Sequence, residues 1–177
     1  FNAMLEERPD LLAPLIEGFP YHRFGEQPAG QPQVTTHPVP ILSEADGRVS
    51  VIFLRTYIEM AARELDSPLS DLAVEALDYF EALAQRKDLI LEFMLEPGDL
   101  IFFNNCTMLH RRTAFEDGPD EARKRLLLRL WLMSPEYWPR SELHARYKGQ
   151  GIARREDGST YYDGAALVEP VRAQVNG

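Results

Sequence analysis

Residues 95–113 read LEPGDLIFFNNCTMLHRRT, and residues 124–131 read KRLLLRLW. In the first stretch a Pro-Gly-Asp turn leads into a short apolar run, which is followed by Asn-Asn and then by a histidine. In the second, an apolar run contains two arginines. Turn residues between short β-prone runs are typical of closely spaced strands. The three strands predicted in this region are Leu89–Leu95, Leu100–Phe103 and Leu126–Met133.

The charged residues of these runs are the candidates for chemistry. Arg125 and Arg129 lie in an apolar run, where a charge is costly unless an anion accompanies it. On a strand, an even separation places both side chains on the same face. If His110 lies near the two arginines, the three side chains suit a site in which an anionic co-substrate binds beside a metal ion. The same spacing also fits a purely structural alternative. In that alternative His110 is a hydrogen-bonded structural residue, and Arg125 and Arg129 pair with acidic residues in the range 92–99.

The rest of the sequence predicts helices and one hairpin around these strands. There is no regular alternation of strands and helices, so a doubly wound parallel sheet is disfavoured. A mainly β domain with flanking helices, built as an antiparallel barrel or sandwich, is favoured instead. The predicted upstream elements are two short helices in 2–17, a Gly- and Pro-rich loop or lid at 18–38, a hairpin of Val39–Leu42 and Val49–Leu54, a helix at Tyr57–Leu65, and a helix from Ser67 or Ser70 to Lys87.

Composition narrows the class of protein. The chain has 177 residues, of which 45% are hydrophobic, and this is the size of one soluble domain. Its formal net charge of -9 argues against nucleic acid as a partner. No apolar run approaches the roughly 20 residues that span a bilayer, so no membrane association is expected. The single cysteine, Cys106, excludes a disulfide framework and is typical of a reducing cytoplasm.

The ordered set of motifs resembles the C-terminal part of the taurine dioxygenase (TauD/TfdA) family, which includes γ-butyrobetaine hydroxylase-like enzymes. The family pattern is Pro-Gly-Asp, an apolar strand, Asn-Asn, Leu-His-Gly-Arg with an aromatic and an acidic residue following, and an Arg-bearing strand that ends in Leu-Trp. The residues 8–12 (RPDLL), the Asp46-Gly47 hairpin and the Ser70 helix match upstream, in order. We expect one oxygenase-type domain over 1–177, with the resemblance covering about residues 2–139 and a polar, aromatic tail at 140–177.

The resemblance implies a double-stranded β-helix (jelly roll, clavaminate synthase-like) fold and a facial triad. In that triad two histidines and one carboxylate hold Fe(II), and open positions remain for 2-oxoglutarate and O2. His110 matches the second histidine ligand. Arg125 matches the arginine that pairs with the distal carboxylate of 2-oxoglutarate, and Arg129 matches a substrate-facing position in sulfonate-using members. The implied activity is hydroxylation of a small, acidic molecule, and the favoured assembly is a homo-oligomer.

The sequence departs from the family pattern at the other two ligands, which come as His-x-Asp or His-x-Glu. Its four histidines are followed two residues later by Phe24, Val39, Arg112 and Arg146. Arg111 also stands where the family usually has Gly. We therefore expect a portion of a longer oxygenase, whose N-terminal strands and His-x-acid motif lie upstream, and no activity from the chain alone. The alternative is a non-catalytic relative that keeps an anion-binding pocket or acts as an interaction module.

Two further hypotheses belong to other functional classes. A cysteine hydrolase using Cys106 and His110 is disfavoured, because their i, i+4 spacing is not a recognised nucleophile arrangement and Cys106 suits a core position. An interaction role would use the aromatic residues of the tail, which more readily pack on the domain itself or on a neighbouring subunit. These residues are Tyr137, Trp138, Tyr147, Tyr161 and Tyr162.

Overall fold

The computed structural model describes residues 1–120, 124–132, 139–149 and 151–163. No helix within these ranges is long and apolar enough to cross a membrane. The described strands form two separate antiparallel pairs, β1 with β2 and β3 with β4. The elements are α1 (Asn2–Glu7), a 3-10 turn (Pro9–Leu11), α2 (Leu12–Glu17), β1 (Leu42–Ala45), β2 (Arg48–Val51), α3 (Arg55–Glu64), α4 (Asp71–Leu83), α5 (Glu142–Lys148), β3 (Gly151–Arg154) and β4 (Thr160–Asp163).

The described residues do not form a clear jelly roll, and the three strands expected after α4 are wrong for this structure. No strand is assigned in the described part of 84–132, and Met133 lies outside the described residues. The apolar side chains there face water: Leu128 is 85% exposed and Leu130 is 87% exposed. A strand needs a neighbouring strand to receive its backbone hydrogen bonds. Within the described ranges no strand forms a ladder with this segment, so it remains irregular.

The upstream elements confirm the local predictions, with shifted boundaries. The two short N-terminal helices are interrupted at Pro9, and α4 begins after Ser70, whose Oγ accepts a 3.2 Å hydrogen bond from the Ala73 amide. That helix ends at Leu83, one turn before its predicted end. The hairpin turns at Asp46-Gly47, where both residues have positive φ angles (51° and 73°). Two positive φ angles are the signature of the two-residue turn that best fits twisted antiparallel strands.

The core lies where α2, α4, the 3-10 turn and β1 meet. Helix α4 contributes one apolar face, because its buried residues recur at intervals of three and four positions. The buried residues of that face are Ala73, Ala76, Leu77, Phe80 and Leu83. They pack with Leu11, Leu15 and Ile41, which are fully buried.

The segment at 18–38 is a loop, as predicted, and it is ordered by its own hydrogen bonds. The Tyr21 amide donates to Thr35 Oγ1 over 3.0 Å, and the Thr35 amide donates to the Tyr21 carbonyl over 2.9 Å. The fully buried Tyr21 side chain donates from its hydroxyl to the carbonyl of Ile52 at 3.3 Å. The loop therefore forms one wall of the core, and its action as a lid stays a prediction.

The C-terminal tail packs on this core through α5. The ring of Tyr147 makes an edge contact with Tyr21, with centroids 5.3 Å apart. His144 is fully buried, with Nε2 at 2.7 Å from the Pro40 carbonyl and Nδ1 at 2.9 Å from Ser43 Oγ. Because a carbonyl can only accept, Nε2 carries the proton and the serine hydroxyl donates to Nδ1. The packing expected of the tail thus holds for Tyr147, whereas Tyr137 and Trp138 lie outside the described residues.

Replacing Gly18 with alanine is expected to destabilise the fold. Gly18 has a φ of 85°, and an added Cβ would lie 2.5 Å from the carbonyl carbon and oxygen of Val39. Gly30→Ala is the matched control, because its φ is 78° but nothing lies within 4 Å of the added atom. We expect Gly18→Ala to lower the free energy of unfolding by about 1–3 kcal/mol more than the control, measured by urea denaturation. Equal losses would contradict the close approach.

Acidification is expected to weaken the docking of α5. Burial lowers the pKa of His144 below its ordinary 6.5, and the charges of Lys148 and Arg140 lower it further, although the bond to Pro40 opposes them. Between the lowered pKa and 6.5 the unfolded chain binds more protons than the folded chain, so stability is full above pH 6.5 and falls as pH decreases through that window. His144→Gln should flatten this part of a stability-versus-pH curve measured by denaturation. An unchanged slope would contradict the assignment.

Candidate functional site

The segment that carries the predicted site follows α4 and is tied back to the core at two points. The amide of Val51, on β2, donates to the Cys106 carbonyl over 2.7 Å. Nη1 of Arg111 donates to Oε1 of Gln85 over 3.0 Å, just beyond the end of α4. Arg111, which replaces the usual glycine of the family pattern, therefore anchors the loop that contains His110.

Two turns determine the course of the segment between these anchors. In the Pro-Gly-Asp turn, Asp99 Oδ2 accepts from the Glu96 amide at 2.8 Å, and Gly98 has a φ of 98°. In the second turn, Asn104 Oδ1 accepts from the amide of Cys106 at 2.9 Å. Cys106 is half-buried within this turn, and its described hydrogen bonds are made by its backbone. The first turn confirms the Pro-Gly-Asp turn predicted before the apolar run 100–103, whereas the second turn, after that run, was not predicted.

His110 lies beyond the second turn and contacts an aromatic ring. Its imidazole packs against Phe103, with ring centroids 4.7 Å apart. The side chain of His110 is exposed, but desolvation by its neighbours is the larger of two causes that lower its pKa, and the positive charge of Arg129 lowers it further. Both effects favour the neutral imidazole at physiological pH, and this is the form that coordinates a metal ion. The structure thus brings His110 within electrostatic range of Arg129.

Arg125 lies in a different local environment. Its guanidinium carbon is 5.1 Å from the centre of the Phe115 ring, and the guanidinium carbon of Arg112 is 4.5 Å from the same ring. The Arg125 amide donates to Oδ1 of Asp117 over 3.1 Å. The expectation that Arg125 and Arg129 share one face of a strand fails here, because no strand is assigned between them. Both side chains are exposed.

Phe115 is a residue of the site that sequence reasoning did not single out. Its contact with two arginines is a pair of cation–π interactions, each worth about 0.5–1 kcal/mol at an exposed position. The available signal was the run of an arginine pair, an aromatic residue and two acidic residues in RRTAFED (111–117).

The described donors do not fit a complete iron site. Within residues 1–120, 124–132, 139–149 and 151–163, no group of three or more His, Cys, Asp or Glu side chains converges on one point. The facial triad needs three protein ligands. His110 is the histidine to which the family resemblance assigns a ligand role, and an imidazole is a donor chemically suited to iron.

Another surface feature lies outside this segment. An open depression of about 600 Å³ contains none of the three predicted site residues. Arg8, at its edge, is already paired with Asp10 and Glu75 at 2.6 and 2.8 Å. The depression is lined by Arg8, Asp71, Val74, Glu75, Asp78 and Tyr79.

The electrostatic link between His110 and Arg129 gives a direct prediction. Arg129→Gln removes a positive charge that lowers the pKa of His110, so this pKa should rise towards its ordinary value. Arg125→Gln is the matched control, since Arg125 is not among the groups that shift His110. Nuclear magnetic resonance titration of the imidazole protons measures both variants. A larger rise in Arg125→Gln than in Arg129→Gln would contradict the arrangement.

Comparison with known proteins agrees with the motifs. The chain matches the model of the family described as "Taurine catabolism dioxygenase TauD, TfdA family" over residues 1–131. It is 32% identical over 135 residues to FR-33289 synthase of Streptomyces rubellomurinus, covering 75% of this chain and 39% of that protein. It is 29% identical over 140 residues to the taurine hydroxylase-like protein SAT17 of Stachybotrys chartarum, covering 77% and 34%. The chain thus spans well under half the length of both relatives, and it belongs to the TauD/TfdA family of dioxygenases.

Proposed function

We propose that this chain supplies the C-terminal part of the active site of an Fe(II)- and 2-oxoglutarate-dependent dioxygenase that hydroxylates a small, acidic molecule. The observation that carries the proposal is the family match over residues 1–131, which includes His110, Arg125 and Arg129. A relative described as taurine hydroxylase-like supports hydroxylation as the reaction type. Iron, when bound, would activate O2 while 2-oxoglutarate is oxidised to succinate and CO2, and this chemistry would hydroxylate a substrate C–H bond.

His110 is proposed as an iron ligand. A ligand must be deprotonated before it coordinates a metal, and the lowered pKa of His110 favours that state. The ring contact with Phe103, at 4.7 Å between centroids, limits the rotation of the imidazole. Phe103 therefore acts as a positioning residue for His110 in this proposal.

Arg125 is proposed to hold the distal carboxylate of 2-oxoglutarate. A guanidinium offers two parallel N–H donors that match a carboxylate in geometry and charge. Phe115 contacts the face of this guanidinium, 5.1 Å from its carbon, and face contact leaves the edge N–H groups available. This stacking supports an orientation in which Arg125 presents its edge to the ligand.

Arg129 is proposed to bind the acidic group of the substrate. Its charge disfavours a second positive charge at His110, as the lowered pKa of that imidazole indicates. The same repulsion would act on a divalent metal ion held there. An anion bound by Arg129 would neutralise its charge. An acidic ligand at Arg129 therefore makes this arginine compatible with an iron ion at His110.

The proposal requires two further iron ligands from polypeptide other than these 177 residues, because no histidine here is followed two positions later by Asp or Glu. We expect the chain alone to retain no stoichiometric Fe(II) after anaerobic loading and desalting, and to form no succinate from 2-oxoglutarate. Metal analysis and succinate detection measure the two results. Stoichiometric iron together with turnover by the chain alone would contradict the proposed division of the site.

The positive test joins this chain to the part of FR-33289 synthase that lies outside the matched region. We expect the fused protein to turn over 2-oxoglutarate and His110→Ala to abolish that turnover. Arg125→Gln should raise the KM for 2-oxoglutarate by about 10- to 100-fold, because a charge-assisted hydrogen bond is lost. Arg112→Gln, which removes the other arginine on Phe115, is the matched control and should change this KM little. Full activity of the folded His110→Ala protein would refute the role of His110.

A further inference from the structure

A second group of cationic side chains lies outside the site segment, between the loop at 18–38 and α5. Arg23 is 4% exposed, and its Nη1 donates to the Tyr147 carbonyl over 3.3 Å. Its guanidinium carbon also lies 5.4 Å from the centre of the Tyr147 ring. These contacts bind the loop to the helix and place a positive charge at their junction.

Two nitrogen atoms at this junction are buried without a hydrogen-bond partner. They are Nε2 of His37, on the loop, and Nε of Arg146, on α5. Buried polar atoms in proteins are nearly always hydrogen-bonded, so each such atom calls for an explanation. The Arg146 nitrogen can only donate, and it therefore needs an acceptor.

Electrostatics indicate that the two atoms belong to the same region. Burial is the largest cause that lowers the pKa of His37, and the charges of Arg23 and Arg146 lower it further. On α5, the carboxylate of Glu142 accepts a 2.7 Å hydrogen bond from Nη2 of Arg146. This bond does not involve Nε of Arg146, the buried nitrogen without a partner. The environment of His37 is therefore positive and offers donors.

We propose that His37 and Arg146 form a binding site for a small oxyanion, such as a phosphate, sulfate or carboxylate group, between the loop and α5. An oxyanion has several acceptor atoms and can receive hydrogen bonds from the guanidinium and the imidazole at once. It also offsets the positive charges that surround His37, which a water molecule would not do. His37 lies within the family match at 1–131 and Arg146 lies beyond it, and neither is one of the proposed dioxygenase residues His110, Arg125 and Arg129.

Inorganic sulfate is the probe, because it keeps its charge throughout the titration range of histidine. Nuclear magnetic resonance follows the His37 imidazole, whose signal is assigned by its loss in His37→Asn. We expect saturating sulfate to raise the pKa of His37 by about 1, since an adjacent anion favours the charged imidazole. Sodium chloride of equal ionic strength should produce a much smaller rise. The buried His144 serves as an internal reference for general effects of salt.

Arg146→Gln should abolish the response to sulfate, whereas Arg154→Gln, at an exposed position on β3, should retain it. Circular dichroism confirms that both variants keep the helical content of the parent chain. An equal response to chloride, or a response retained in Arg146→Gln, would mean that an adventitious ion only is bound and would overturn the proposal. Because no iron and no 2-oxoglutarate are involved, this result is independent of the proposed enzymatic function.

Discussion

A β-strand satisfies its backbone N–H and C=O groups only when another strand lies beside it. The site segment of this chain is subject to that constraint, because its sequence is β-prone and apolar yet no described strand forms a ladder with it. Turns at Asp99 and Asn104 and the bonds from Val51 and Arg111 are its described anchors. His110, Arg125 and Arg129 therefore lie on irregular backbone in the described structure.

The helical part of the molecule is free of that constraint. An α-helix makes its backbone hydrogen bonds within itself, so α4 needs only a surface on which to bury one face. The 3-10 turn, α2 and β1 provide that surface, and the loop at 18–38 completes it with the buried Tyr21. This part of the chain therefore forms a packed core, although the segment that follows it is exposed.

The same difference explains which elements could be predicted from the sequence. The Ser70 cap, the interruption at Pro9 and the Asp46-Gly47 turn are local signals, and each one lies where we expected it. The predicted strands after α4 depend on distant partners, and a hydrophobic run contains no information about whether a partner is present. The burial of His144 is a similar case, since its contact with Ser43 joins positions 101 residues apart.

The order of the motifs predicted which residues belong to the candidate site, but it did not predict the contacts of their side chains. The order Pro-Gly-Asp, Asn-Asn and Leu-His led to His110, and the arginines followed from their unusual place in an apolar run. That Arg125 stacks on Phe115 while Arg129 acts on His110 could not be read from spacing, because even spacing predicts a shared face only if a strand exists.

Both proposed ligand sites take anions, although the chain carries a net charge of -9. The long-range field of such a chain repels acidic ligands and does not steer them towards it. At physiological ionic strength charges are screened beyond about 8 Å, so an anion that arrives at Arg129 or Arg146 experiences chiefly the nearest groups. In the two proposals, affinity comes from short guanidinium hydrogen bonds and from the histidine whose pKa each arginine lowers. Under the two proposals, selection of acidic ligands rests on Arg125 and on two local pairs, His110 with Arg129 and His37 with Arg146, and not on the overall charge.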